Sequence, residues 1–125
     1  MKIFYSWQSD LPNKDNRSFI QACLDKVKKK FKGIIAIEAD RDTKNRTGSP
    51  DITATIFEKI DDCDLFIADI SIINKSKCRL FRGKSRPTPN PNVLLELGYA
   101  VSTLGWGSDN LLIQYRLFRN GRATV

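Results

Sequence analysis

The feature that most constrains the fold is a short apolar run at residues 64–70, Asp-Leu-Phe-Ile-Ala-Asp-Ile. Its apolar residues are nearly continuous and do not alternate with polar ones. This pattern is typical of a strand that is covered on both faces, as in the parallel sheets of α/β proteins. The run carries Asp69 near its end, and ligands of open α/β sheets bind outside the carboxyl ends of the strands. We therefore expect a parallel sheet with a polar site at that edge.

Further strands and helices alternate along the chain. Apolar patterns predict three more strands, at residues 3–7, 34–39 and 111–115. Three helices are predicted between them, from about residue 13 to Gly33, from Ser49 to about residue 61, and from Pro91 to Leu104. This alternation predicts a single flavodoxin-like α/β domain over residues 1–125, with a parallel sheet in the strand order 2-1-3-4 and helices on both faces.

The last ten residues, 116–125, are too short for another helix and strand. The sheet is therefore expected to end at four strands, or the chain is a C-terminally truncated version of a longer fold. In the second case the last strand would be an exposed edge that another chain could cover.

The third predicted helix places one acid at its margin. Asn90 followed by Pro91 is typical of a helix start, because Asn can cap a free N–H and Pro has no N–H to lose. At 100° per residue, Glu96 falls at the border of the apolar face, beside Ala100. Glu96 is therefore a candidate for a carboxylate directed into a site, and Asp69 is expected to face the same cleft. The alternative is a solvated Glu on an amphipathic helix.

Composition removes several classes of chemistry. The chain has no histidine, which excludes Ser-His and Cys-His nucleophile pairs and nearly every familiar catalytic zinc site. Its three cysteines are widely spaced without a Cys-x-x-Cys pair, so no disulfide framework and no metal site are indicated. Any chemistry must then use carboxylates, hydroxyls, backbone groups and cations.

The net charge of +7 is concentrated in two segments. One is a lysine cluster at residues 26–32, and the other is an acid-free basic loop at residues 74–89. Both favour a phosphate-bearing partner electrostatically, although a solvated helix face also explains the first. No motif for specific nucleic-acid recognition is present. The N-terminus enters a strand without a signal-peptide pattern, and no apolar stretch is long enough to span a membrane, so a cytoplasmic protein is expected.

Five segments taken together resemble bacterial TIR-like domains of the predicted nucleotide-binding type. They are Phe4-Tyr5-Ser6-Trp7-Gln8-Ser9-Asp10-Leu11-Pro12, Asp40-Arg41-Asp42-Thr43, Gly48-Ser49-Pro50-Asp51-Ile52, Ala68-Asp69-Ile70 and Asn90-Pro91-Asn92-Val93-Leu94-Leu95-Glu96-Leu97-Gly98-Tyr99-Ala100. The resemblance covers most of residues 1–115. That family normally continues through a further helix, strand and helix after the fourth strand, and this chain does not.

The resemblance implies NAD hydrolysis, often in anti-phage defence or signalling, with NAD as substrate and no cofactor. It implies that Glu96 is the catalytic glutamate. Nucleotide-binding residues are then expected in the first loop, the second loop and around the third helix, namely Ser6, Trp7, Arg41, Asp42, Asp69 and Asn92. Residues 41–51 fall where the family has a mobile loop that takes part in self-association.

A single carboxylate is sufficient for this reaction in principle. The nicotinamide of NAD is a cationic pyridinium that leaves as a neutral base, so no general acid is required. The remaining task is to hold the ribose and to stabilise positive charge at C1′, which a preorganised carboxylate can do.

Two alternatives remain open. Nucleoside 2-deoxyribosyltransferases also share an Asp-ending strand and a helix with Glu-Leu-Gly-Tyr-Ala, and they use the glutamate as a covalent nucleophile toward a nucleoside. The second alternative is a TIR-like domain that is not an enzyme and that binds a nucleotide or a protein partner without turnover. In that case Glu96 would have no chemical role.

Overall fold

The structure is a computed structural model that describes residues 1–8, 10–40, 52–73 and 87–114, together with the backbone of 117–119 and 122–124. Strands and helices alternate along most of this chain. In order they are β1 (Lys2–Ser6), a short 3₁₀ turn (Asn13–Asp15), α1 (Arg17–Lys30), β2 (Glu38–Asp40), α2 (Ile52–Asp61), β3 (Leu65–Asp69), α3 (Pro91–Leu104), β4 (Leu111–Gln114), β5 (Leu117–Arg119) and β6 (Arg122–Thr124).

The first four strands form one parallel sheet in the order β2-β1-β3-β4. Strand β1 pairs with β2 on one side and with β3 on the other, and β3 pairs with β4. The predicted flavodoxin-like order 2-1-3-4 is therefore confirmed. Strands β5 and β6 form a separate antiparallel pair.

Helices cover both faces of this sheet, as predicted, and the two central strands send alternate side chains to the two sides. Ile3, Tyr5 and Ile67 pack with α1 residues on one face. Phe4 and Phe66 pack with residues of α2 and α3 on the other face. Because successive side chains of a strand point to opposite faces, Ser6 belongs to the face of α3, and Asp69 belongs to the face of α1.

Helix α3 begins as the sequence predicts. The Asn90 side chain accepts a hydrogen bond from the backbone N–H of Asn92, at 2.8 Å, and Pro91 is the first helical residue. The helix ends before Gly105, whose φ of +88° lies in the left-handed region that favours glycine. The apolar face is the predicted one, with Val93 and Ala100 fully buried.

The prediction for the second strand was wrong in its extent. The expected strand at residues 34–39 is observed only at Glu38–Asp40, and Ile34 is 76% exposed. The backbone N–H groups of Ile34 and Ile35 bond the carbonyl of Phe31 at the end of α1. Pairing with β1 begins only where Glu38 lies opposite Lys2, the first residue of that strand. The isoleucines satisfy the strand pattern although no strand lies beside them. The predicted start of α2 at Ser49 and most of the basic loop lie outside the described residues.

Candidate active site

The site is built around Glu96, which the second turn of α3 places beside the carboxyl end of β1. Val93 and Ala100 anchor the helix on the core, and Glu96 lies at the border of this buried face. Its side chain is half-buried. The residue that faces it from the sheet is Ser6, the last residue of β1, which is only 3% exposed. The carboxylate is thus held against the protein and is not directed into bulk solvent.

Two opposing effects act on this carboxylate. Burial raises the pKa of Glu96 above its ordinary value of 4.5, because a charged oxygen is less well solvated there. The nearby Ser6 hydroxyl lowers the same pKa, by a smaller amount. Within the described residues, however, Ser6 Oγ makes no hydrogen bond of normal geometry. It is therefore a buried hydroxyl beside an acid, with capacity left to bind another group.

Asp69 ends β3, next to the end of β1, and is completely buried. Its Oδ1 accepts hydrogen bonds from the backbone N–H of Ser71, at 3.0 Å, and from the Ser71 hydroxyl. Asp69 therefore caps the loop that follows its own strand. Its other oxygen, Oδ2, is buried without a hydrogen-bond partner among the described residues. The alternation of β3 directs Asp69 toward the face of α1, so the structure does not place it on the same side of the sheet as Glu96.

Gln8 is an organising residue that the sequence patterns did not identify. Its fully buried side chain donates to the carbonyl oxygen of Ser71 and accepts from the backbone N–H of Asn90, at 2.7 Å. The side chain of the buried Asn16 in turn bonds both the N–H and the carbonyl of Gln8. These contacts join residues up to 82 positions apart. A signal that could have found Gln8 is its place directly after a buried strand, where a polar residue must find partners.

The other predicted nucleotide-binding residues are placed as follows. Trp7 is half-buried, packs beside the α1-side core, and has the Arg17 guanidinium 5.4 Å from the centre of its ring. Asn92 is exposed in the first turn of α3. Arg41 and Asp42 lie outside the described residues, as does the loop 41–51 expected to take part in self-association. The structure thus brings Ser6, Trp7, Asp69 and Glu96 to one edge of the sheet.

Among the described residues, no group of three or more His, Cys, Asp or Glu side chains is arranged to hold a metal ion. Likewise, none of the helices in those parts of the chain combines the length and the hydrophobicity that crossing a membrane requires.

The chain can be compared with known proteins. No protein-family model and no curated protein matches the chain. Among solved structures, the chain is similar to a 2-desoxiribosyltransferase from Leishmania mexicana, with 27% sequence identity and a TM-score of 0.51. The alignment covers 91% of this chain but only 63% of that one, so the chain spans less than two thirds of the length of this neighbour. The flavodoxin-like α/β fold is therefore shared with a protein whose name states a sugar-transfer activity.

Proposed function

We propose that the chain cleaves the N-glycosidic bond of a nucleoside and transfers the 2-deoxyribosyl group to another base, with Glu96 as the nucleophile. The observation that carries this proposal is the half-buried Glu96 carboxylate beside Ser6 at the carboxyl edge of a parallel sheet. Similarity to a 2-desoxiribosyltransferase over 91% of the chain supports it. Of the readings that the sequence left open, this one agrees better with the structural neighbour than NAD hydrolysis does.

The chemistry needs only groups that this edge provides. An Oε atom of ionised Glu96 attacks C1′ of the sugar, the C1′–N bond breaks, and its electron pair leaves with the base. The departing base takes up a proton from solvent. In the second step a nitrogen of the accepting base attacks C1′, the glycosyl ester breaks, and Glu96 is released as a carboxylate. The accepting base loses its N–H proton to solvent.

The environment of Glu96 fits the first step. A carboxylate with few water contacts is more basic than a solvated one, as its raised pKa indicates, and it attacks without first losing a hydration shell. The Ser6 hydroxyl offsets part of the cost of burying the charge. Burial and the neighbouring hydroxyl therefore hold a carboxylate of raised pKa beside the end of β1.

NAD hydrolysis is the second candidate, and it would use the same carboxylate to stabilise charge at C1′. The observation that favours it is the half-buried Trp7 ring directly after β1, because an aromatic ring at a strand end can stack on a nicotinamide or an adenine. One face of this ring is already covered by the Arg17 guanidinium, so only the other face is open to such stacking. Membership of the TIR-like family and a role in anti-phage defence or signalling belong to this candidate alone.

Product analysis tests both candidates. The purified chain is incubated separately with a deoxynucleoside plus an acceptor base, with the matching ribonucleoside plus the same base, and with NAD, and the products are separated by chromatography. We expect a new deoxynucleoside in the first reaction, and a rate at least ~100-fold lower for Glu96→Gln. The control is Asp62→Asn, which removes an exposed carboxylate at the opposite edge of the sheet. Release of nicotinamide alone would select the second candidate, and the absence of products from every substrate would reject both.

A further inference from the structure

The side chain of Gln8 joins three separate segments at the carboxyl edge of the sheet. Its own backbone belongs to the loop after β1, its Nε2 donates to the carbonyl of Ser71 after β3, and its Oε1 accepts from Asn90 at the start of α3. It has no exposed surface. A primary amide suits this place because it is both a donor and an acceptor, and both functions are used.

The backbone of Gln8 is fixed as firmly as its side chain. Asn16 bonds the N–H and the carbonyl of Gln8 with the two ends of its own amide. Asn16 precedes α1, but its side chain makes no capping hydrogen bond to that helix and instead bonds Gln8. The Gln8 side chain therefore extends from a backbone held by Asn16 and joins Ser71 on one side to the start of α3 on the other.

The contact with Asn90 has consequences along the helix. Asn90 caps α3, and its Nδ2 donates to Asp10 in the loop after β1. Glu96 follows six residues later on the same helix, about 9 Å along its axis. Because a helix moves as a rigid body, the position of the first turn fixes where the Glu96 carboxylate lies relative to Ser6 at the end of β1.

We propose that Gln8 is a positioning residue for Glu96, which sets the start of α3 against the first and third strands so that the carboxylate faces the end of β1. Gln8 also connects the two acids of this edge, since the Ser71 whose carbonyl it binds is the residue that Asp69 caps. This inference rests on the proposed function for its effect on rate. The expected effect of Gln8 on the position of Glu96 is independent of the proposed function.

Gln8→Met tests the proposal, because it keeps the length of the side chain and removes both hydrogen bonds. The matched control is Gln21→Met in α1, whose amide also makes two side-chain hydrogen bonds, to Tyr5 and Asp25, but does not contact α3. We expect kcat to fall at least ~10-fold in Gln8→Met with little change in KM, since small misplacements of a reacting group are costly. Gln21→Met should keep the kcat of the unmodified chain.

A titration of Glu96 by carboxyl ¹³C NMR gives a readout that needs no turnover. In the unmodified chain its pKa should lie above 4.5, and in Gln8→Met it should move back toward 4.5 as the helix start loosens and water reaches the acid. Gln21→Met should leave it unchanged. If the unmodified chain transfers no sugar, the proposed function fails while this titration still decides the role of Gln8.

A second variant keeps the test valid if Gln8→Met does not fold. Gln8→Glu has nearly the same shape and keeps the acceptor for the Asn90 N–H, but its carboxyl group places an oxygen against the Ser71 carbonyl in place of the donor. Its kcat should therefore fall as well, and its Glu96 titration should differ from that of the unmodified chain. The proposal is overturned if the folded Gln8 variants keep both the kcat and the Glu96 titration of the unmodified chain. It is also overturned if Gln21→Met changes them equally.

Discussion

The amino and carboxyl edges of the parallel sheet differ in how deeply their polar groups are buried. At the amino edge, exposed charged side chains make contacts at the surface: Lys2 Nζ pairs with Asp62, and Asp64 accepts a hydrogen bond from the backbone N–H of Lys2 at 2.7 Å. At the carboxyl edge, the polar groups are more deeply buried, and three side-chain atoms there have no hydrogen-bond partner among the described residues, namely Ser6 Oγ, Asp69 Oδ2 and Gln114 Nε2. In the same parts of the chain, the amino edge has one such atom, Ser108 Oγ in the turn before β4.

This difference indicates where function resides. Surface ion pairs are weak and tolerate change, whereas a buried polar group without a partner costs free energy and persists only where something else requires it. A hollow of about 110 Å³ extends from the amino edge along β1 and β2, and its lining residues include Lys2, Asp40, Lys59 and Cys63. Charges of both signs line it and are already paired with one another there. We therefore assign the chemistry to the carboxyl edge and not to this hollow.

The largest expected effect on stability comes from Asn90 at the carboxyl edge. Asn90→Ala removes the cap of α3 and the hydrogen bond to Asp10, and should lower the free energy of unfolding by about 1–2 kcal/mol. The control Asn13→Ala changes an exposed Asn at the start of the 3₁₀ turn and should cost less than about 0.5 kcal/mol. Denaturant unfolding measures both. Equal losses would show that the carboxyl edge is no more constrained than an ordinary surface turn.

A smaller effect is expected on the pH dependence of the reaction. Glu96 must be ionised to attack, so kcat/KM should fall as the pH is lowered through a pKa that burial raises above 4.5. Ser6→Ala removes the group that lowers this pKa, so the acid limb should move to higher pH. Ser102→Ala, an exposed change on the same helix, should leave the limb in place. An acid limb that stays fixed or moves to lower pH in Ser6→Ala would separate Ser6 from the acid.

The smallest effect is expected at the amino edge. Asp62 raises the pKa of Lys2, so any contribution of this pair to stability is present at neutral pH and is lost as the pH rises above 10.5. Because both side chains are exposed, Lys2→Met should change Tm only slightly, and the change should disappear in high salt. A large loss of Tm that persists in high salt would remove the contrast between the two edges.

Local patterns were sufficient for most of the fold. The apolar run before Asp69 predicted a central strand, and Asn90-Pro91 predicted the first residues of α3. Both signals depend on the residues' own backbone preferences and burial. The strand predicted at residues 34–39 began too early, because its apolar pattern does not reveal where pairing with β1 starts.

The candidate site was only partly accessible from sequence. Helical spacing correctly placed Glu96 at the border of the apolar face of α3. The roles of Gln8, Asn16 and Ser71 were missed, because their hydrogen bonds join positions distant in sequence and follow no period. The expectation that Asp69 and Glu96 share a cleft also ignored the alternation of β3, which directs Asp69 to the other face of the sheet.

The most direct test of the central claim is the mass of the intact chain after brief incubation with a deoxynucleoside and an acid quench. The account predicts a fraction of chains heavier by one deoxyribosyl group, with the added mass on the peptide that contains Glu96 and no added mass in Glu96→Gln. Sugar transfer that proceeds with the added mass on another residue, such as Asp69, or with the same yield in Glu96→Gln, would contradict it.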